Sequence, residues 1–413
     1  MRDSSNPQTD PAQCCDRTQA GSDGPTGRDA VRLDGKKPNS SGLPTVGKMQ
    51  EGGKNKKSRT GEQLAVSYLG SVGSFAYLAA TNNFSSSSAI TYSPSHSYKD
   101  VFQQVERGAC QYGVIPLESS THGTIVFVYD QLLRCHNNIA IVGEIGQIEN
   151  HCLAGQMNNA LNDYDVTEVV SHPHILDCCS DFLDAIDSKR VSINRPMIIR
   201  TASVDSTTAC IEVVNNTDSN CVKACICSKE AAVVNGLAII SNGIGNDKNA
   251  ETRYIIIAKK MDDSISVLDP LSLRSHRDAI LSSPASHVTS SSHRKASIVL
   301  ALKNIPGSIF KMSSCFALRD IDIIKIESRP ASVAIGLQSV PSEARPFTSK
   351  HWNLVFYIDY ILSDNASTNE ALLTNLNEYS LWVIELGTYY SRLRKIESSP
   401  REWKNLIDVL ATA

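Results

Sequence analysis

The sequence contains no apolar run near the ~18 residues that a membrane-spanning helix requires. It has no Gly-x-x-x-x-Gly-Lys loop to cradle a nucleotide phosphate and no Cys or His pairs at zinc-finger spacing. Neither sign of charge is in excess: Lys and Arg total 40 against 43 Asp and Glu, a formal net charge of −3. A nucleic-acid or anionic-membrane partner is therefore not expected. The first residues carry Asp3, Asp10 and Asp16 without an apolar h-region, which disfavours a secretory signal and, less strongly, a transit peptide. A cytoplasmic protein is expected. The 12 cysteines include Cys221, Cys225 and Cys227, set among Val222, Ala224 and Ile226. That setting predicts small buried thiols in a reducing compartment, and no metal or organic cofactor.

At 413 residues the chain is long enough for two or three domains. Residues 1–62 are rich in Ser, Gly, Asp, Lys and Pro without apolar periodicity, the composition of a disordered tail. Residues 63–261 alternate strand and helix patterns. Strands are predicted near 65–69, 112–117, 140–145, 167–171, 222–227, 237–241 and 253–259. Helices are predicted near 74–82, 99–106, 124–134, 174–186, 206–214 and 228–235, the last capped by Gly236. This alternation predicts an α/β class with largely parallel sheets, and the apolar stretch 139–145 a crossing between two lobes. A Ser-rich linker follows at 262–294. Residues 295–392 then read as a βαββαβ, ferredoxin-like module whose exposed strand edges favour pairing with a second copy, so a homodimer or homotetramer is expected. A short helical tail is predicted within 393–413.

Several strand ends run into Ser/Thr turns that open helices: Leu69-Gly70 into Gly73-Ser74-Phe75, Leu117-Glu118 into Ser119-Ser120-Thr121, Ser171-His172-Pro173, and Asp205-Ser206-Thr207. A helix N-terminus offers unpaired N–H groups and partial positive charge, and hydroxyls add short donors. Such ends gathered at one crevice would hold a small polyanion without a basic patch. The plainer reading of Ser206 and Thr207 is helix capping. His172 and Asp177 with a serine invite comparison with a hydrolase triad, but no Gly-x-Ser-x-Gly elbow accompanies them.

Taken in order, these segments resemble the prephenate dehydratase family, with a C-terminal ACT domain. The carrying motifs are Tyr68-Leu69-Gly70 to Phe75, Tyr112 to Glu118, Ile141-Val142-Gly143-Glu144-Ile145 with His151, Ser171-His172-Pro173, Thr252-Arg253-Tyr254, Asn304-x-Pro306-Gly307 and Lys325-Ile326-Glu327-Ser328-Arg329-Pro330; Leu386-Gly387-x-Tyr389 closes the match. The resemblance implies a two-lobed, periplasmic-binding-protein-like dehydratase domain. It implies loss of water and CO2 from prephenate to give phenylpyruvate, and feedback by L-phenylalanine. Thr252 is then the catalytic residue that assists departure of the hydroxyl. Ser74, Glu118, Ser119, Ser120, Thr121, Ser171, Ser206, Thr207, Arg253 and Tyr254 are the substrate-binding candidates. Arg253 equally suits a structural salt bridge, Glu118 a turn cap and Tyr254 core packing. Pro306, Gly307, Ser308 and Ile309 with Glu327, Ser328, Arg329 and Pro330 form the implied effector site, where Phe310 adds bulk. The sequence departs from the family at Ser119 (for Asn), His122 (for an acid), His174 and Cys178 (each for Gln). Two other readings stand beside this one: arogenate as substrate, or a binding protein that senses amino acids and has lost catalysis.

Overall fold

The computed structural model describes residues 64–84, 90–156, 162–218, 220–260, 294–334 and 353–393. The predicted N-terminal tail, the linker and the C-terminal helix lie outside these residues. The first lobe is built on β1 (Leu64–Leu69), β2 (Ile90–Ser95), β3 (Tyr112–Ser119), the two-residue β4 (Gly123–Thr124) and β5 (Ile139–Ile148). Helices α1 (Phe75–Asn83), α2 (Tyr98–Glu106) and α3 (Val126–Cys135) intervene. The second lobe contains β6 (His151–Gly155), β7 (Glu168–Ser171), β8 (Ile199–Ala202), β9 (Lys223–Ser228) and β10 (Ala238–Asn242). Its helices are α4 (Pro173–Cys178), α5 (Ser180–Ser192), α6 (Ser206–Val214) and α7 (Lys229–Val234). The chain then returns to the first lobe as β11 (Glu251–Lys259), which inserts antiparallel between β3 and β5.

The sheets are mixed rather than largely parallel. Strands β1, β2 and β3 pair parallel, as do β7, β8 and β9. The strands that carry the chain between lobes run against their neighbours, because a chain that leaves a sheet and comes straight back arrives reversed. The crossings fall at residues 149–150 and 243–250, just beyond the predicted stretch. Besides the two-residue β4, three strands escaped the sequence pattern. β2 contains Pro94 and sits on a sheet edge, where a missing N–H is tolerated. β8 is also an edge, short and mostly exposed. β6 is short, fully buried and half made of small residues. The helix predicted over 174–186 is broken at Cys179, because the Asn246 amide from the returning chain takes the Cys178 carbonyl at 2.8 Å.

The C-terminal module has β12 (Arg294–Leu302), α8 (Ser308–Ala317), β13 (Ile323–Pro330), β14 (Leu354–Ile361), α9 (Ala366–Tyr379) and β15 (Ser380–Arg392). Its antiparallel order β13-β14-β12-β15 is the ferredoxin-like arrangement read from the sequence. One apolar cluster packs it internally, with Ile298, Leu300, Met312, Phe316, Ile358 and Leu376 at its centre. Its sheet does not stop at β15. Tyr390–Arg392 pair parallel with Gly143–Ile145 of β5, so module and first lobe share one sheet. Gly387 permits this approach, since a Cβ there would fall 2.1 Å from the Ile141 carbonyl oxygen.

A buried ion cluster lies at this seam. Arg253 Nε meets Glu144 at 2.7 Å and Arg253 Nη1 meets Asp359 at 2.7 Å. Lys295 closes on the other Glu144 oxygen at 2.5 Å. Tyr389 accepts from Arg253 at 3.1 Å, and Ser297 donates to Asp359 at 2.5 Å. Glu118, itself paired with Lys325, adds a longer contact to Arg253 at 3.8 Å; at the centre of the cluster the two cations Arg253 and Lys295 balance the two anions Glu144 and Asp359, which is the condition for burying such a set. Removing one member leaves an unpaired buried charge, so Glu144→Gln is expected to cost about 3 kcal/mol in urea unfolding. The exposed Arg195–Asp165 pair at 2.9 Å supplies the contrast: Arg195→Ala should cost below about 1 kcal/mol.

Candidate active site

Because side chains alternate along a strand, β11 presents its signature residues to two different places. Arg253 enters the ion cluster. Thr252 and Tyr254 point the other way. Tyr254 is buried in the core cluster that includes Phe75, Ala79 and Ile145. Thr252 is 4% exposed and lies opposite Ser119 on β3 and Gln147 on β5, two residues before Glu149. Glu149 opens the crossing into the second lobe, and its own N–H donates to the Ala250 carbonyl at 3.0 Å where the chain crosses back.

The lobes meet around this point. His151 begins β6, with Nε2 3.9 Å from the Glu149 carboxyl and the Phe75 ring edge-on at 5.1 Å. His151 pairs in register with Ser228, whose hydroxyl caps α7 and donates to the Gly73 carbonyl. Gly73 has φ +89°, and a Cβ on it would lie 2.6 Å from Ala231 Cα, so only glycine lets the starts of α1 and α7 touch. Ser74 caps α1, accepting from Tyr77 N–H at 3.2 Å and donating to the Leu69 carbonyl at 3.0 Å. On the other side, Ser119 and Thr121 hydroxyls lie 2.9 Å apart, and Thr121 is 2.9 Å from His122 Nδ1. His122 lies 3.6 Å from Cys178 Sγ and stacks on His174 at 4.9 Å. The three departures at His122, His174 and Cys178 are thus neighbours across the lobes, which their separation in sequence concealed. Ser120 accepts from Glu251 N–H at 3.0 Å and ties this turn to β11.

Other predicted binders stand elsewhere or have their polar atoms engaged. Glu118 faces the C-terminal module, 2.6 Å from Lys325, because it neighbours Ser119 on a strand and so takes the opposite face. Arg253 is committed to Glu144 and Asp359 there, the structural alternative of the sequence reading. Ser171 is fully buried and donates to the Ile226 carbonyl at 2.7 Å. Thr207 donates to Asp205 at 2.5 Å. Burial raises the Asp205 carboxyl, but the hydroxyl and amide donors of Thr207 and Thr208 outweigh it and hold the group below its ordinary value. The start of α6, where Ser206 is buried, therefore already carries its own anion and does not invite another. Sequence reasoning recorded His151 only as part of a motif; no local pattern marks a crossing residue as part of the lobe junction.

Of the implied effector residues, Gly307, Ser308 and Ile309 line a cavity of about 310 Å³ with Leu302, Asn353 and Phe356. Pro306 precedes Gly307, which holds φ +78° at the start of α8. Glu327, Ser328, Arg329 and Pro330 lie on β13, outside that lining. Glu327 accepts from Thr124 at 2.7 Å, and Arg329 forks onto Asp130 at 3.1 and 2.9 Å. This run fastens the module to the first lobe. In the second lobe, the Cys210, Cys225 and Cys227 sulfurs lie within 4.8 Å of one another in the apolar core with Ala154 and Val170.

Residues 66–262 match the family model of prephenate dehydratase. Arogenate dehydratase 3, chloroplastic, of Arabidopsis thaliana is 31% identical over 332 residues, which span 80% of this chain and 68% of the relative. The chain belongs to the arogenate/prephenate dehydratase family. Arogenate dehydratase/prephenate dehydratase 1, chloroplastic, of the same plant is 30% identical over 327 residues, 79% of this chain and 72% of the relative. The solved prephenate dehydratase of Arthrobacter aurescens, in complex with L-Phe, shares the fold with a TM-score of 0.59 at 17% identity, covering 85% of this chain and 100% of that one. Dehydratases of this family are carbon–oxygen lyases, so the chain is an enzyme by descent.

Burial holds the His151 imidazole down at about 4, with the nearby His122 adding to the effect. Neither ring nitrogen has a hydrogen-bond partner among the described residues. The group's folded value is depressed, so the stability of its neutral form is complete above the unfolded value near 6.5 and is lost as pH falls towards 4. Wild type is expected to lose up to about 3 kcal/mol more than His151→Gln over that window, measured by denaturant unfolding at stepped pH.

Proposed function

We propose that this enzyme is a prephenate dehydratase, with Thr252 as the catalytic residue that hydrogen-bonds the departing C4 hydroxyl. The observation that carries the reading is the placement of Thr252: the signature threonine lies beside the crossing between the lobes, opposite Ser119, whose hydroxyl is 2.9 Å from that of Thr121. Aromatisation of the cyclohexadienyl ring supplies the driving force. The protein has to hold a dianion, orient its ring and offer preorganised donors to the leaving oxygen, which hydroxyls and helix-start amides do. Thr252→Ala should fold normally and lose about 100-fold or more in kcat, read by ultraviolet detection of phenylpyruvate. Unchanged turnover refutes the role of Thr252.

A second substrate, arogenate, is favoured by the names of the plant relatives. Parallel assays with both acids decide it: the true substrate is the one with the larger kcat/KM.

The C-terminal module reads as an ACT domain that binds L-phenylalanine and slows turnover. The cavity beside Gly307 supports this, because a glycine-opened helix start next to apolar Leu302 and Phe356 suits an amino acid with an aromatic side chain. Coupling has a physical route: β13 grips Glu118 and Thr124, beside Ser119. Turnover is expected to fall as phenylalanine is added, and a flat response up to millimolar concentration would falsify feedback.

A further inference from the structure

We propose that Cys210, Cys225 and Cys227 form a three-thiol site in the core of the second lobe that captures a trivalent metalloid of the arsenite class. Cys225 and Cys227 are two residues apart on β9, so both side chains fall on one face of the strand. Cys210 comes from α6, which packs on that face. The Cys225 sulfur is 3.7 Å from that of Cys210 and 4.0 Å from that of Cys227, and all three lie within 4.8 Å of one another. Packing of small thiols in an apolar core accounts for their burial, but not for three sulfurs turned toward one another.

An atom bonded to three sulfurs at about 2.3 Å, the usual metal–thiolate length, spaces them roughly 3.5 to 4 Å apart. The two shorter separations already meet that spacing. The site offers three sulfurs rather than four. Cys152, in register with Cys227, gives its thiol to the Cys227 carbonyl at 3.3 Å and stands outside the group. A tetrahedral zinc site of four thiolates is therefore not provided. Charge decides among the remaining thiophilic groups. Three thiolates carry three negative charges, and a net charge buried in hydrocarbon is costly. All three cysteines are fully buried, in an apolar cluster with Ala154, Val170 and Val213. The elements that carry them supply no cation to offset the charge: α6 contains no Lys or Arg, and Lys223 on β9 is paired with Glu168 at 3.2 Å. Monovalent copper or divalent zinc on three thiolates leaves a net negative charge in the core, whereas a trivalent centre leaves none.

The exchange balances without an oxidant or a reductant. Arsenous acid and three thiols give a neutral arsenic tris-thiolate and three waters. Each S–H bond breaks and its proton leaves on a departing hydroxide as water. Each arsenic–oxygen bond is replaced by an arsenic–sulfur bond, and arsenic stays trivalent. Soft sulfur ligands favour such a soft centre. The sulfurs are sealed from solvent, so the reagent enters when α6 parts from β9 or while the lobe folds. Once bound it ties α6 to β9 and stabilises the folded lobe.

The test uses the full-length reduced protein, refolded from urea with sodium arsenite and then desalted. Wild type should retain about one arsenic per chain. X-ray absorption should find three sulfurs and no oxygen around it, and the loaded protein should unfold at a higher temperature than the unloaded one. Cys225→Ala removes one of three linked bonds and should weaken retention about 100-fold or more, with no gain in unfolding temperature. The double variant Cys14→Ala, Cys15→Ala, at adjacent cysteines outside the site, should behave as wild type. Arsenic that is not retained, that Cys225→Ala retains equally, that the double variant loses, or that shows two sulfurs and an oxygen overturns the proposal. So does a wild type that passes over arsenite but retains zinc or copper(I) supplied in the same way, since a charged complex would then occupy the core. If Cys225→Ala does not fold, Cys210→Ala is read in its place, and the sulfur count on wild type stands whichever variant folds.

Discussion

The insertion of β11 between β3 and β5 is the constraint from which the rest follows. A strand bonded on both edges cannot rotate or slip by one residue without exchanging its two faces. Thr252 is therefore held toward the lobe junction while its neighbour Arg253 is driven into the seam with the C-terminal module. The proposed chemistry and the assembly of the molecule thus depend on adjacent residues of one strand.

The Arg253 side carries electrostatics that work only if complete. Glu144, Asp359 and Lys295 surround it in a buried setting, where each unpaired charge would cost several kcal/mol and each pair roughly breaks even. Such a cluster adds little net stability, but it penalises every arrangement in which module and lobe are displaced. Two glycines serve the same end by removing bulk. Gly387 lets β15 meet β5, and Gly73 lets the first lobe touch the second. The Thr252 side is the opposite in character: hydroxyls, a buried neutral imidazole and an acid raised by burial, with little fixed charge.

Much of this was legible in the chain. The strand and helix periodicity of 112–117, 206–214 and 253–259, and the order of the ferredoxin-like module, are local properties and appear as expected. The helix starts at Ser74 and at Asp205-Ser206-Thr207 could be read because capping needs only neighbours in sequence, though the cap of α6 is Asp205 rather than Ser206 or Thr207. The mixed sheet could not be read, since strand direction depends on where the chain re-enters. Nor could the break at Cys179, which a carbonyl-to-amide bond from Asn246 creates at long range. Of the site candidates, Thr252, Ser119 and Thr121 come together at the lobe junction, whereas Glu118 and Arg253 face the seam and Glu327 and Arg329 serve as fastenings.

By itself the sequence determined which residues are candidates for chemistry and which elements hold most of them, because hydroxyl, glycine and apolar spacing act over a few residues. Tertiary structure alone decided which of them meet. Strand register chose the face of each side chain, and the chain's passage between the lobes placed Thr252 opposite Ser119 and His122 against Cys178. Those juxtapositions arise from contacts between residues far apart in the chain, and no local pattern encodes them.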